Sequence, residues 1–69
     1  MEIYHPKHYN LGKIEVIDFI EDQQLPFHLG NVVKYITRAG KKAGETDLDA
    51  LRKAQWYLSR YIAFLEARF

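Results

Sequence analysis

The last part of the chain decides the fold, and its residues 47–67 read DLDALRKAQWYLSRYIAFLEA. Large apolar side chains recur there every three or four residues, which is the spacing of one face of an α-helix. The seam of this face comprises Leu51, Leu58, Ile62, Leu65 and Phe69. It is flanked by the aromatic residues Trp56, Tyr57, Tyr61 and Phe64. A helix that is apolar around most of its girdle is normally covered on more than one side. We therefore expect a long helix that another subunit covers in part.

Two shorter helices are predicted upstream of the long one. Glu15, Asp18 and Asp22 recur at helical spacing and predict a short helix over residues 14–22, with one acidic stripe and a wide apolar remainder. A second helix is predicted over residues 27–39 from the apolar face formed by Leu29, Val32, Val33 and Ile36. Pro26 suits the first turn of this helix, and Gly40 suits the position just past its end.

Three further signals complete the predicted architecture. Gly30 inside the second helix costs about 1 kcal/mol relative to alanine, which indicates close approach by another backbone or a ligand. Thr46 and Asp49 have the spacing of a capping box, with Asp in place of Glu, at the start of the third helix. Pro6 favours an extended backbone at His5, and Asn10 and Gly12 suit a turn, so residues 1–12 are predicted to form an irregular arm. The sequence thus predicts one all-α domain over residues 1–69, in which the two longer helices form an antiparallel hairpin.

Composition limits the class of protein. The chain has 69 residues, ten aromatic side chains, no cysteine and a net charge of +1, so disulfides and thiolate metal sites are excluded. A domain this small buries only about 60% of its unfolded surface, and we expect a homo-oligomer to supply the rest. No apolar run reaches the roughly 18 residues of a membrane span. We therefore expect a cytoplasmic protein that neither enters membranes nor binds duplex nucleic acid.

Cations and aromatic side chains share one side of two predicted helices. The second helix carries Asn31, Lys34, Tyr35 and Arg38, and the third repeats the theme with Lys53, Trp56 and Arg60. Arginine and lysine bind phosphate, and aromatic rings stack on bases. Two such stripes on neighbouring helices predict a cleft for a nucleotide. The alternatives left open are an ordinary solvated face and cation–π packing between subunits.

The arm adds three candidate contacts to phosphate or base, which are His5, His8 and Tyr9. The two histidines do not predict a metal site, because zinc usually takes three or four protein ligands and only His28 remains as a third imidazole.

No set of residues predicts catalysis directly, so the catalytic residues stay unassigned. A P-loop needs a leading glycine and a Ser or Thr that residues 40–42 do not supply. Glu15 and Asp18 resemble half of the paired acidic motif of MazG-type NTP pyrophosphatases. Thr46 stands where the second half needs an acid, and no clear motif requires Mg²⁺.

Four strings together carry a family resemblance: HPKHY (5–9), KIEVIDFI (13–20), LGNVVKYITRAGK (29–41) and DALRKAQWYL (49–58). Over residues 5–62 the chain resembles the small phage and prophage proteins called SaV-like, which include phage nucleotide kinases. The resemblance implies nucleotide binding through Lys34, Tyr35, Arg38, Lys53 and Trp56. It also implies ATP or another nucleotide as the ligand, and phosphorylation of deoxynucleoside monophosphates or tuning of a host abortive-infection system.

Three hypotheses of different kinds follow for a phage accessory protein in an infected or lysogenic cell. The first is a nucleotide-binding protein that acts as a nucleoside monophosphate kinase. The second is an anti-defence protein that sequesters a cyclic or oligonucleotide immune signal without turnover. The third is an interaction module that binds a host defence protein through its aromatic and basic faces.

Overall fold

The computed structural model describes residues 12–68, which form three helices: α1 (Val16–Asp22), α2 (Phe27–Arg38) and α3 (Asp47–Arg68). No strand occurs among these residues, which confirms the all-α prediction. Helix α1 begins two residues later than predicted, because residues 12–14 bend and Glu15 has an extended backbone at φ −64° and ψ 139°. The predicted arm falls almost entirely in residues 1–11, which lie outside the described part of the chain.

Helices α2 and α3 form the predicted antiparallel hairpin. Near the start of α2, His28 stacks on Tyr61 with ring centroids 5.2 Å apart. Two turns later Tyr35 stacks on Tyr57 at 5.9 Å, so rising numbers on α2 meet falling numbers on α3. The buried apolar residues of the described chain, Ala50 and Ala54, lie on the same face of α3 as these tyrosines. Small side chains there let the two helices approach closely.

The apolar seam of α3 does not face α2. Leu51, Leu58, Ile62 and Leu65 are between 36% and 48% exposed, and Ile62 is the least covered of the four. Three of the aromatic residues that flank the seam contact rings of α2 instead, namely Tyr57, Tyr61 and Phe64. The hairpin therefore uses one side of α3 and leaves an adjacent apolar side uncovered within the described residues.

Helix α1 packs on α2 at Gly30, which is buried. A Cβ atom at this position would lie 3.2 Å from Cγ2 of Ile20, a distance tighter than ordinary van der Waals contact. The expected close approach is thus present. It comes from a side chain of α1, rather than from the backbone or ligand that the sequence suggested.

Both signals at the α2–α3 connection are confirmed. Gly40 follows the C-cap residue Ala39 with φ +76°, the left-handed conformation that ends many helices. At the start of α3, the backbone N–H of Asp49 donates to Oγ1 of Thr46 at 3.0 Å. The N–H of Thr46 donates in return to Oδ2 of Asp49 at 3.3 Å.

None of the helices within residues 12–68 is both long and apolar enough to cross a membrane.

We expect Gly40→Ala to destabilise the fold more than Gly44→Ala. Both glycines have positive φ, at +76° and +80°, so each alanine meets a backbone penalty of about 1–2 kcal/mol. Only at Gly40 would the new Cβ also lie 2.9 Å from Oδ1 of Asp47, whereas Gly44 has nothing within 4 Å. Urea unfolding of the two variants measures the difference. Equal losses of unfolding free energy in the two variants would show that the Asp47 side chain moves away from the new Cβ without cost.

Candidate functional site

Three cations surround the ring of Tyr35 on the hairpin. The Lys34 ammonium lies 4.7 Å from the ring centroid, the Arg38 guanidinium carbon 4.5 Å and the Lys53 ammonium 5.5 Å. Lys34 and Arg38 come from α2, whereas Lys53 comes from the second turn of α3. The structure thus brings together four of the predicted site residues. We call these four residues together with Glu45 the Tyr35 cluster.

Glu45 joins the cations of the two helices. Its Oε1 lies 3.1 Å from Nε of Arg38, and its Oε2 accepts a hydrogen bond of 2.7 Å from Nζ of Lys53. The side chains of Arg38 and Glu45 are 4% and 9% exposed, while that of Lys53 is 50% exposed. Glu45 lies in the connection just before α3, so the carboxylate ties this connection to both helices.

The contact between Glu45 and Lys53 shifts the pKa of both side chains. The hydrogen bond from Lys53 lowers the pKa of Glu45 against the opposing effect of burial, and the positive charge of Arg38 lowers it further. The same hydrogen bond raises the pKa of Lys53. Both groups therefore stay ionised over a wider pH range than isolated side chains.

Among residues 12–68 the Tyr35 cluster holds more cations than carboxylates. Its three cations contact Glu45 or the Tyr35 ring, and Lys42 in the adjoining connection adds a further positive charge that acts on Glu45. Lys53 is half exposed, and the side chain of Lys34 is partly exposed. These two ammonium groups are therefore reachable from solvent, in contrast to the buried guanidinium of Arg38.

Trp56 lies one turn beyond Lys53 on α3 and is 60% exposed. Its ring meets Tyr57 edge to face, with centroids 5.1 Å apart and planes at 88°. Because Tyr57 in turn stacks on Tyr35, an aromatic path runs from Trp56 into the cluster. Arg60 is exposed one turn further along α3, and it is not among the cations around the Tyr35 ring.

An apolar groove adjoins the cluster between α1 and α2. Its lining residues are Ile17, Ile20, Leu25, Pro26, Phe27, Gly30, Asn31 and Lys34. The amide of Asn31 donates to the carbonyl of Phe27 at 2.9 Å, so it is engaged with its own helix. Lys34 belongs to both the groove and the cluster, which makes the two features continuous.

Several sequence predictions fall elsewhere. His5, His8 and Tyr9 lie outside the described residues, so their place relative to the cluster is not defined. Residues 12–68 contain no group of three or more side chains that could hold a metal ion. Glu45 was not predicted, although the one carboxylate within the basic connection KKAGE is a signal that could have pointed to it.

The fold and the site together define a small helical-hairpin protein with a basic and aromatic cluster. Residues 3–59 match the family described as Protein of unknown function (DUF3310). The chain therefore belongs to the DUF3310 family, and the match covers α1, α2 and the part of α3 that carries Lys53 and Trp56. No curated protein and no solved structure matches the chain.

We expect Arg38→Met to lower the free energy of unfolding clearly more than Arg60→Met does, because the buried Arg38 guanidinium is paired with Glu45. Arg60→Met is the matched control, since Arg60 is an exposed arginine on α3, and it should change stability by less than about 0.5 kcal/mol. Chemical denaturation followed by circular dichroism compares the two. Similar small losses in both would contradict a structural role for Arg38.

The pKa shifts predict how stability depends on pH. The lowered pKa of Glu45 stabilises the fold above the ordinary glutamate value of 4.5, and this contribution is lost as the pH falls through the lowered pKa. The raised pKa of Lys53 acts in the alkaline range, where its contribution is lost as the pH rises through the raised value. Between pH 7 and pH 3 the wild type should lose more stability than Glu45→Gln. Glu66→Gln, at an exposed position, should keep the wild-type profile; a wild-type profile for Glu45→Gln would refute the assignment.

Proposed function

We propose that the protein binds a nucleotide or a nucleotide-derived signal on the α2–α3 hairpin, at the Tyr35 cluster and the adjoining Trp56. The observation that supports this most strongly is the set of three cations within 5.5 Å of one tyrosine ring. Such a site offers positive charge for phosphate beside aromatic surface for a base. These are the two chemical features that a nucleotide combines.

The side chains divide into ligand contacts and supports. The ammonium groups of the partly exposed Lys34 and the half-exposed Lys53 would bind phosphate oxygens, and the exposed ring of Trp56 would stack on the base. Arg38 is buried and the side chain of its partner Glu45 is only 9% exposed, so these two residues hold Tyr35 and the connection in place. The sequence predicts that the planar guanidinium of Arg38 binds phosphate. Because this group is buried, we propose a supporting role for it instead.

Phosphoryl transfer is the activity that the SaV-like resemblance supports. In this form of the proposal the site binds ATP and a deoxynucleoside monophosphate, and the cations stabilise charge on the transferred phosphoryl group. Sequestration of a cyclic or oligonucleotide immune signal uses the same contacts without turnover. Both fit an accessory protein of a phage that acts in the cytoplasm of its host as a homo-oligomer.

A thermal-shift screen tests binding directly. A ligand that binds only the folded state raises Tm by mass action, so mono-, tri- or cyclic nucleotides should raise Tm in a concentration-dependent way. No response to any of these would overturn the proposal and favour the hypothesis that the cluster binds a host defence protein. Incubation of a binding pair with ATP then distinguishes kinase activity, seen as new diphosphate, from sequestration, seen as unchanged nucleotides.

We expect Lys53→Met and Lys34→Met each to weaken binding of the best nucleotide by about tenfold, the loss of one charge-assisted hydrogen bond of roughly 1.5 kcal/mol. Lys13→Met is the control, because Lys13 is exposed ahead of α1 and far in sequence from the cluster. Titration calorimetry gives the three affinities. Equal losses in all three variants would indicate only a general effect of net charge.

Trp56→Ala separates stacking from packing. Because Trp56 is 60% exposed, its removal should leave the helix content unchanged and weaken binding, while Trp56→Phe should retain most of the affinity. Circular dichroism and the same calorimetry report the two effects. Loss of folding in Trp56→Ala would assign the ring to the hydrophobic core instead.

A further inference from the structure

A row of two arginines and one tryptophan runs along α3 beyond the Tyr35 cluster. Arg52, Trp56 and Arg60 are spaced four residues apart, so they are neighbours on one side of the helix and span about 12 Å along its axis. Lys53 lies three residues before Trp56 and connects this row to the cluster. We call Arg52, Lys53, Trp56 and Arg60 the Trp56 stripe.

The side chains of this row are open to a ligand. Trp56 is 60% exposed, and Arg52 and Arg60 are exposed as well. Within residues 12–68 neither arginine is paired with a carboxylate. No ring of these residues stacks in parallel on Trp56, since its contact with Tyr57 is edge to face. The stripe therefore presents two unpaired cations and one aromatic surface to solvent.

The stripe is locally basic although the chain as a whole is nearly neutral. Residues 50–65 contain three basic residues, all of them in the stripe, and no acidic residue, whereas the net charge of the chain is +1. Glu45 pairs with Lys53 and so leaves the charge of the two arginines in excess. Asp49, just ahead of this stretch, is engaged in the cap of α3. The stripe therefore attracts an anion that extends along α3.

We propose that the ligand is a short single strand of nucleic acid, which continues from the Tyr35 cluster along the Trp56 stripe. The inference rests on the proposed function, because Lys53 and Trp56 take part in both. A mononucleotide carries its phosphates on one side of its base, where the ammonium groups of the cluster bind them. A nucleotide inside a strand has a phosphate on both sides of its base. Arg52 and Arg60, one turn before and one turn after Trp56, match this second arrangement.

The aromatic member of the stripe favours a single strand over other anions. Trp56 can stack only on a base whose face is free, and the paired bases inside a duplex do not offer such a face. An acidic peptide would pair with Arg52 and Arg60 but would leave the tryptophan ring without a partner. Cations that follow the backbone beside a ring that stacks on a base are the features by which proteins hold single strands without reading their sequence.

Fluorescence of the full chain tests the ligand class, because Trp56 is its only tryptophan and quenching of its emission reports stacking. Tetrathymidylate should quench this emission and bind about tenfold more tightly than thymidine monophosphate, since each of two exposed arginine–phosphate pairs adds about threefold. An abasic tetranucleotide should bind without quenching. A tetranucleotide that binds no more tightly than the mononucleotide would overturn the inference and leave the proposed function standing. Failure of both ligands to bind would overturn the two together.

Substitution of the arginines tests the path of the strand. Arg52→Met and Arg60→Met should each lower the ratio of tetranucleotide to mononucleotide affinity about threefold. The slope of log Kd against log salt concentration should fall by about 0.7 with each arginine removed. Arg68→Met is the matched control, because Arg68 is an exposed arginine of α3 that lies over the Phe64 ring, outside the stripe. An equal effect of all three variants would contradict the proposed path.

A comparison of strands tests whether the ligand must be single-stranded. A longer thymidylate strand should bind and quench Trp56, whereas its duplex with the complementary adenylate strand should not quench it. Quenching by the duplex to the same extent, or equally tight binding of a polyglutamate peptide of similar charge, would overturn the inference. Uridylate in place of thymidylate then distinguishes RNA from DNA as the source of the strand.

Discussion

The carboxylate of Glu45 is the constraint on which the site depends. It is 9% exposed and stays ionised because Arg38 and Lys53 both contact it, one from the end of α2 and one from α3. A buried charge without partners would be strongly unfavourable. The connection between the helices must therefore follow a path that brings Glu45 between the two cations. Gly40 makes this path possible, because its positive φ turns the chain directly after α2.

The helices could be predicted from the sequence because their signals are local. The apolar period, the capping box of Thr46 and Asp49, and the glycine after α2 each act within a few residues. The start of α1 has no such local signal, since nothing at residues 14 and 15 marks a cap, and the helix begins at Val16. Local signals also sufficed to place Lys34, Tyr35 and Arg38 on one side of α2.

The burial of Arg38 and the role of Glu45 could not be predicted in the same way. Both depend on where the connection runs in three dimensions, and a carboxylate in a polar loop has no periodicity to mark it. The sequence also could not predict which face of α3 meets α2, because the helix is apolar around most of its circumference. It is decided by the partners on α2, where His28 and Tyr35 present rings that stack on tyrosines rather than aliphatic surface.

The same geometry decides which contact a bound phosphate would disturb. Glu45 is paired with two cations whose side chains differ in exposure. The Arg38 side chain is 4% exposed, whereas that of Lys53 is 50% exposed. Lys53 can therefore turn toward an anion in solvent, while Arg38 stays against Glu45 and keeps the carboxylate paired. A phosphate on Lys53 would exchange one ion pair for another without leaving a buried charge alone. The buried arginine thus allows the exposed lysine to act as a ligand contact.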